Sequence, residues 1–147
     1  MKKYKLAQFT TILRVAENIE EFEQIRSSDT IAKILRQSWE NLNYKESFKI
    51  ILLSRSNKII GMETIATGGS SACVVDAKIL FQSALMGNAS ALILAHNHPS
   101  GNLRPSSADI SLTKKIADGG KILDIMVLDH LIMTEDGYYS FADNGMI

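Results

Sequence analysis

The stretch LILAHNHPSGNLRPSSADISL, residues 92–112, decides how this chain is read. An apolar run of strand-like length ends on two histidines one residue apart, His96 and His98, in a chain with only three. In an extended strand, residues two apart project to the same face, so both imidazoles can aim at one point. Pro99 biases His98 toward extended backbone and carries that geometry to the end of the run. Gly101 and Asn102 then suit a tight turn, and a helix opens at Ser106 with Asp109 in its first turn. A loop of this length can fold the helix start back onto the strand end, bringing a carboxylate to the two imidazoles. Two neutral imidazoles and one carboxylate, with a fourth position left to water, form a ligand set of catalytic zinc.

Two physical readings compete at these residues. Ser-x-x-Asp is a helix-start signature in its own right, Ser106 capping the first turn while Asp109 bonds back and favours the helix dipole. That accounts for Ser106 and Asp109 without any metal. It does not account for His96 and His98, which would waste buried surface unless their nitrogens found partners. Metal ligation by His96, His98 and Asp109 is therefore the expectation. The third histidine, His130 in VLDHLIM beside Asp129, reads as a hydrogen-bonded structural residue, with a supporting role behind a ligand as the alternative.

On either side of this stretch, strands and helices alternate. Ile31, Ile34, Leu35, Trp39 and Leu42 fall at helical spacing, with Ser28 or Asp29 as N-cap. SFKIILLS (47–54) and KIIGMETIAT (58–67) flank a polar RSN and read as a hairpin, followed by a plain turn at TGGSS (67–71). DAKILFQSALMGNA (76–89) reads as a helix and SALILAH (90–96) as a buried strand. The helix from Ser106 is expected to stop at Gly119-Gly120. LDIMVLDHLIM (123–133) and YYSFA (138–142) then read as strands joined by a turn at EDG. Hairpins at both ends of an alternating pattern predict an α/β chain of the α+β type: a mixed sheet with helices packed on it. Residues 1–27, with their acidic run, read as an N-terminal extension, and 28–147 as one domain.

The bulk properties exclude several classes. The 147 residues suffice for one domain with a sizeable core. Sixteen basic and sixteen acidic side chains cancel, so net charge points to neither nucleic acid nor an anionic membrane. A single cysteine, Cys73, forms no intramolecular disulfide and no Cys-x-x-Cys zinc site. The first residues lack a continuous apolar signal region, and no run approaches the ~20 residues of a membrane helix. A cytoplasmic, soluble domain is expected.

With those residues read, the chain resembles a known family. His96-x-His98-Pro99 followed by Ser106-x-x-Asp109 matches the JAMM (MPN+) metalloprotease pattern at every fixed position and spacing. AHNHPSGNLRPSSAD is similar to its bacterial RadC branch, as are IIG after the first hairpin strand, VLDHLIM, and the ending GYYSFADNGMI. The resemblance covers roughly residues 28–147 and implies the JAB/MPN fold, a cytidine-deaminase-like class with a mixed, mostly antiparallel sheet flanked by helices. It also implies one zinc ion on His96, His98 and Asp109, catalytic assistance from Ser106, and an upstream glutamate. Glu46, ahead of the first core strand in KESFKIILL, matches that glutamate, while Glu63 in GMETI is the internal competitor.

Hydrolysis of an amide or isopeptide bond follows from that resemblance. Zinc brings the pKa of its water near 7, Glu46 takes and returns the proton, and the Ser106 hydroxyl donates to the oxyanion. The partner would be a peptide or an isopeptide-linked protein. The rival function is a non-catalytic accessory protein in DNA metabolism, although balanced charge and the lack of a helix-hairpin-helix signature in residues 1–27 disfavour direct DNA binding. Nucleobase deaminases need His-x-Glu and Pro-Cys-x-x-Cys, and neither is present. The chain departs from RadC-like sequences before the 76–89 helix, reading VVDAKIL where they read His-Pro-Arg-Glu, which leaves substrate preference open. An exposed sheet edge would suit a homodimer.

Overall fold

A computed structural model describes residues 24–68 and 73–147. The first 23 residues of the expected N-terminal extension, and most of the TGGSS turn, lie outside the described residues. In chain order the elements are α1 (Ser28–Ser38), β1 (Ser47–Leu53), β2 (Ile59–Thr67), α2 (Ala77–Met86), β3 (Ala91–Asn97), α3 (Ser107–Ile122), β4 (Met126–Met133) and β5 (Tyr138–Ser140).

The five strands form one sheet in the order β2-β1-β3-β4-β5. Neighbours run antiparallel except β3 and β4, which are parallel because α3 crosses between them. This is the mixed sheet that the two hairpins predict, and it is mostly antiparallel, as the family resemblance implies. β3 is buried along its whole length, whereas β2 is a largely exposed edge. Central position explains why β3 is uniformly apolar instead of alternating: both of its faces are covered.

Alternate residues of the central strands feed two separate cores. Ile51, Leu53, Ile93, Ala95 and Leu131 pack under α1 with Ile31, Leu35 and Trp39. Phe48, Ile50, Leu52, Leu92 and Leu94 face α2 and α3 with Leu80 and Ile116. Burying each such aliphatic side chain stabilises the fold by about 1.5–3 kcal/mol before entropy is counted. Ile25 joins the α1-side core, tied down where its N–H donates to Asn57 O at 3.0 Å.

Helix boundaries differ from expectation in three places. The α1 cap is Ser27, whose hydroxyl accepts from Thr30 N, instead of Ser28 or Asp29. The backbone leaves the helix at Trp39, so Trp39 and Leu42 continue its apolar face from beyond its end. Gly119 and Gly120 lie inside α3, which runs on to Ile122. Gly120 is a contact residue: a Cβ there would stand 2.3 Å from the Ile125 carbonyl oxygen. The same glycine's carbonyl accepts from Ile125 N at 2.8 Å, and Asp124, at φ 55°, makes the left-handed step into β4.

No described helix is long and apolar enough to cross a membrane.

Candidate metal centre

The sheet brings the chemistry to the C-terminal end of β3. Leu92, Leu94 and His96 follow one another on the face toward α3, and Phe48 stacks on the His96 ring with centroids 6.1 Å apart. His98 lies one residue past the strand, but its N–H still donates to Met133 O at 2.9 Å, extending the ladder to β4. Gly101, at φ 79°, then turns the chain back, its N–H donating to His98 O. That turn sets Asn102 O 2.6 Å from His98 Nδ1. A carbonyl oxygen only accepts, so Nδ1 carries the hydrogen and neutral His98 presents the lone pair of Nε2.

The loop delivers Asp109 to the same point. Both arms of a capping box are formed: Asp109 N donates to Ser106 Oγ at 3.1 Å, and Ser106 N donates to Asp109 Oδ2 at 2.7 Å. The capping and ligand readings of Ser-x-x-Asp are therefore compatible, because the cap fixes the carboxylate that faces the histidines. Asp109 Oδ1 lies 3.2 Å from His96 Nε2, and Oδ2 lies 3.5 Å from His98 Nε2. The two Nε2 atoms are 2.9 Å apart.

These separations suit a small cation. Ligands about 2.0–2.1 Å from a tetrahedral zinc would stand roughly 3.3 Å from one another, and the three ligand atoms lie within 4.8 Å of each other. Nitrogen, nitrogen and carboxylate oxygen are also the donor types zinc accepts. Burial works to raise the Asp109 carboxyl, but the His96 and His98 imidazoles beside it outweigh burial and hold the group well below the usual carboxylate range. The hydrogen bond to Asp109 pushes the His98 imidazole up, against the effect of burial.

Glu46 stands at the margin of this cluster. Phe48 pairs with His96 in the antiparallel register, and Glu46 lies two residues ahead of Phe48. Its charge contributes to holding the His98 imidazole up, though no hydrogen bond joins the two among the described residues. Glu63 pairs with Ile50 on exposed β2, farther along the hairpin than the rung nearest the histidines. The Ser106 hydroxyl accepts from Asp109 N, and its own hydrogen is free of a protein acceptor among the described residues.

Three residues behind the cluster were read only in part, or not at all, from sequence. His130 is fully buried, stacked on Phe141 with centroids 4.8 Å apart, and its Nε2 lies 2.8 Å from His96 Nδ1. Burial, followed by the influence of the neighbouring His96 imidazole, pushes its imidazole well below the ordinary value. Thr113, on α3, touches His130 Nδ1 through its hydroxyl at 2.6 Å. Asn97, between the two histidines, points to the other face. There its Oδ1 accepts from Ser47 N at 2.8 Å, and its amide donates to Leu42 O and Lys45 O, clamping the backbone on both sides of Glu46. The signals were present: a buried amide must find partners, and Thr113 lies one helical turn from Asp109.

Comparison with known proteins shows the family of the chain. The profile of the RadC-like JAB domain matches residues 25–146. A UPF0758 protein of Flavobacterium johnsoniae is 44% identical over 131 residues, covering 89% of this chain and 57% of that protein. A UPF0758 protein of Methanococcoides burtonii is 37% identical over 148 residues, covering 97% and 64% respectively. One from Porphyromonas gingivalis is 44% identical over 104 residues, covering 70% and 46%. The chain thus spans a little over half the length of most of the curated relatives it matches.

Proposed function

The chain belongs to the family of RadC-like JAB domains, and from that membership and the geometry of its centre we propose that it is a zinc-dependent hydrolase of amide or isopeptide bonds. The observation that carries this reading is the convergence of His96 Nε2, His98 Nε2 and the Asp109 carboxylate at one strand end. His96, His98 and Asp109 would hold the ion. Bound there, zinc would polarise a carbonyl and bring a water's pKa near 7.

The remaining work falls to this chain's own groups. Glu46, two residues ahead of Phe48, which pairs with His96, takes the proton of the attacking water. The water oxygen bonds to the carbonyl carbon, the C–N bond breaks, and Glu46 returns the proton to the leaving amine. Ser106 donates its hydroxyl hydrogen to the oxygen on which negative charge develops. The substrate would be a peptide or an isopeptide-linked protein.

The test is metal content by elemental analysis, with turnover of peptide and isopeptide substrates measured on the same samples. Near-stoichiometric zinc is expected, lost in His96→Ala and in Asp109→Ala. Glu46→Gln should retain the zinc while turnover falls by about 10²–10⁴-fold. Folded protein that takes up no zinc near neutral pH would overturn the reading. Loss of zinc in Glu46→Gln would make Glu46 a ligand instead of a base.

A further inference from the structure

We propose that Thr113 and His130 are positioning residues that set the tautomer of His96, so that its Nε2 lone pair is always presented to the centre. The inference deepens the metal-site reading above and rests on it for its purpose, but its geometry stands alone.

Two short contacts meet at one hydroxyl. Thr113 Oγ1 lies 2.6 Å from Asp109 O and 2.6 Å from His130 Nδ1. Each contact is short enough to require a hydrogen between the two atoms. The hydroxyl owns one hydrogen, and the Asp109 carbonyl has none to give. Thr113 must therefore donate to Asp109 O, and His130 Nδ1–H must donate to Thr113.

The same count then runs through His130 to His96. His130 has no exposed surface and sits between the rings of Phe48 and Phe141. With its one hydrogen on Nδ1, a neutral His130 ring has none on Nε2. The 2.8 Å contact to His96 Nδ1 is thereby made by the His96 Nδ1–H. His96 Nε2 is left bare, 2.9 Å from the Nε2 of His98 and 3.2 Å from Asp109 Oδ1.

The relay closes on the residue where it starts. The Asp109 backbone carbonyl orients Thr113, Thr113 orients His130, and His130 orients His96, whose other nitrogen faces the Asp109 carboxylate. Three electron-pair donors are thus turned toward one another, an arrangement that is favourable only with a cation or a proton between them. Outer partners that fix ligand tautomers in this way typically change metal affinity by about 10–100-fold when removed.

The experiment reads the imidazole nitrogens directly. Proton–nitrogen correlation spectra of ¹⁵N-histidine protein, stripped of metal and held above neutral pH, report which nitrogen of His96 and of His130 is protonated. Zinc affinity is measured beside them by chelator competition. In the unsubstituted protein both rings should carry hydrogen on Nδ1. Thr113→Val removes the acceptor for His130 Nδ1–H, so the hydrogen should move to Nε2 on His130 and hence on His96. Zinc affinity should fall by about 10–100-fold, and Thr113→Ser should restore both readouts.

His96 protonated on Nε2 in the unsubstituted protein would overturn the proposal. So would an unchanged zinc affinity in Thr113→Val, whatever its tautomer. The unsubstituted spectrum needs no variant, so a Thr113→Val chain that fails to fold leaves the test standing. If His96 carries its hydrogen on Nδ1 but the protein takes up no zinc, the proposed function fails while the relay survives.

Discussion

The two faces of β3 end differently. On the α1 side, Ile93 and Ala95 lead to Asn97, while on the α3 side Leu92 and Leu94 lead to His96. Both end residues are polar and almost wholly buried. Asn97 is hydrogen-bonded chiefly to backbone, holding Leu42, Lys45 and Ser47. His96 makes its contacts with side chains alone: His130 on one nitrogen, His98 and Asp109 on the other. A polar group bonded to backbone fastens one segment to another. One that meets other ionisable side chains concentrates donor atoms with nothing between them, as a metal site requires. The strand thus carries a structural clamp and a candidate ligand side by side.

The sharpest way to break this contrast is to exchange the two losses. Asn97→Ala strands the Ser47 N–H and two carbonyls in a buried place, which should lower stability by on the order of 3 kcal/mol. Zinc affinity should change little. Turnover should suffer, because Glu46 lies within the released segment. His96→Leu continues the apolar column: it leaves His130 Nε2 without a donor but adds apolar burial, so stability should stay within about 1 kcal/mol. Zinc binding should be abolished. Denaturant melts and chelator competition on both variants decide the matter. A stable Asn97→Ala protein without zinc would erase the distinction.

A smaller effect concerns how α3 is seated over the histidine face. Gly120→Ala drives a Cβ into the Ile125 carbonyl, which is backbone and cannot move aside, so a loss of about 2 kcal/mol or more is expected. Gly119→Ala meets the Phe81 ring at 2.9 Å, a side chain able to shift. The gain in helix propensity of about 1 kcal/mol offsets that contact. Thermal melts of the two variants should therefore separate widely. Equal destabilisation would mean that the Gly120–Ile125 approach does not govern the return from α3 to β4.

These glycines also show where sequence reasoning stops. The histidine pair is legible because strand period alone puts His96 and His98 on one face, and Ser-x-x-Asp is legible because a capping box has fixed spacing. The hairpins announce themselves through the polar breaks at RSN and EDG, and with them the mixed sheet. Gly119-Gly120 reads as a helix stop because glycine is usually wanted for its conformational freedom. Here Gly120 is wanted for its missing side chain, and no local pattern records the distance to Ile125. Asn97 and Thr113 escape for a related reason. Their partners lie far along the chain, Leu42 for the first and His130 for the second, so their roles exist only once the strands are in register.

The smallest effect separates the partly exposed end of the histidine face from its buried end by pH. The folded protein holds His98 above its unfolded value of about 6.5. The stability this contributes is complete below that pH and is lost as pH rises through the folded value. Asp109 is depressed, so its contribution is present above about pH 3.9 and is lost as pH falls through the folded value. In protein stripped of metal, the pair should therefore stabilise most between about pH 4 and 6.5, weakening above it. Zinc competes with the His98 proton, so its affinity should run the opposite way. It should fall about tenfold for each pH unit below the raised His98 value. Melting and zinc competition measured across the same pH series check the two slopes together. A zinc affinity flat from mildly acidic to neutral pH would remove His98 from the ligand set.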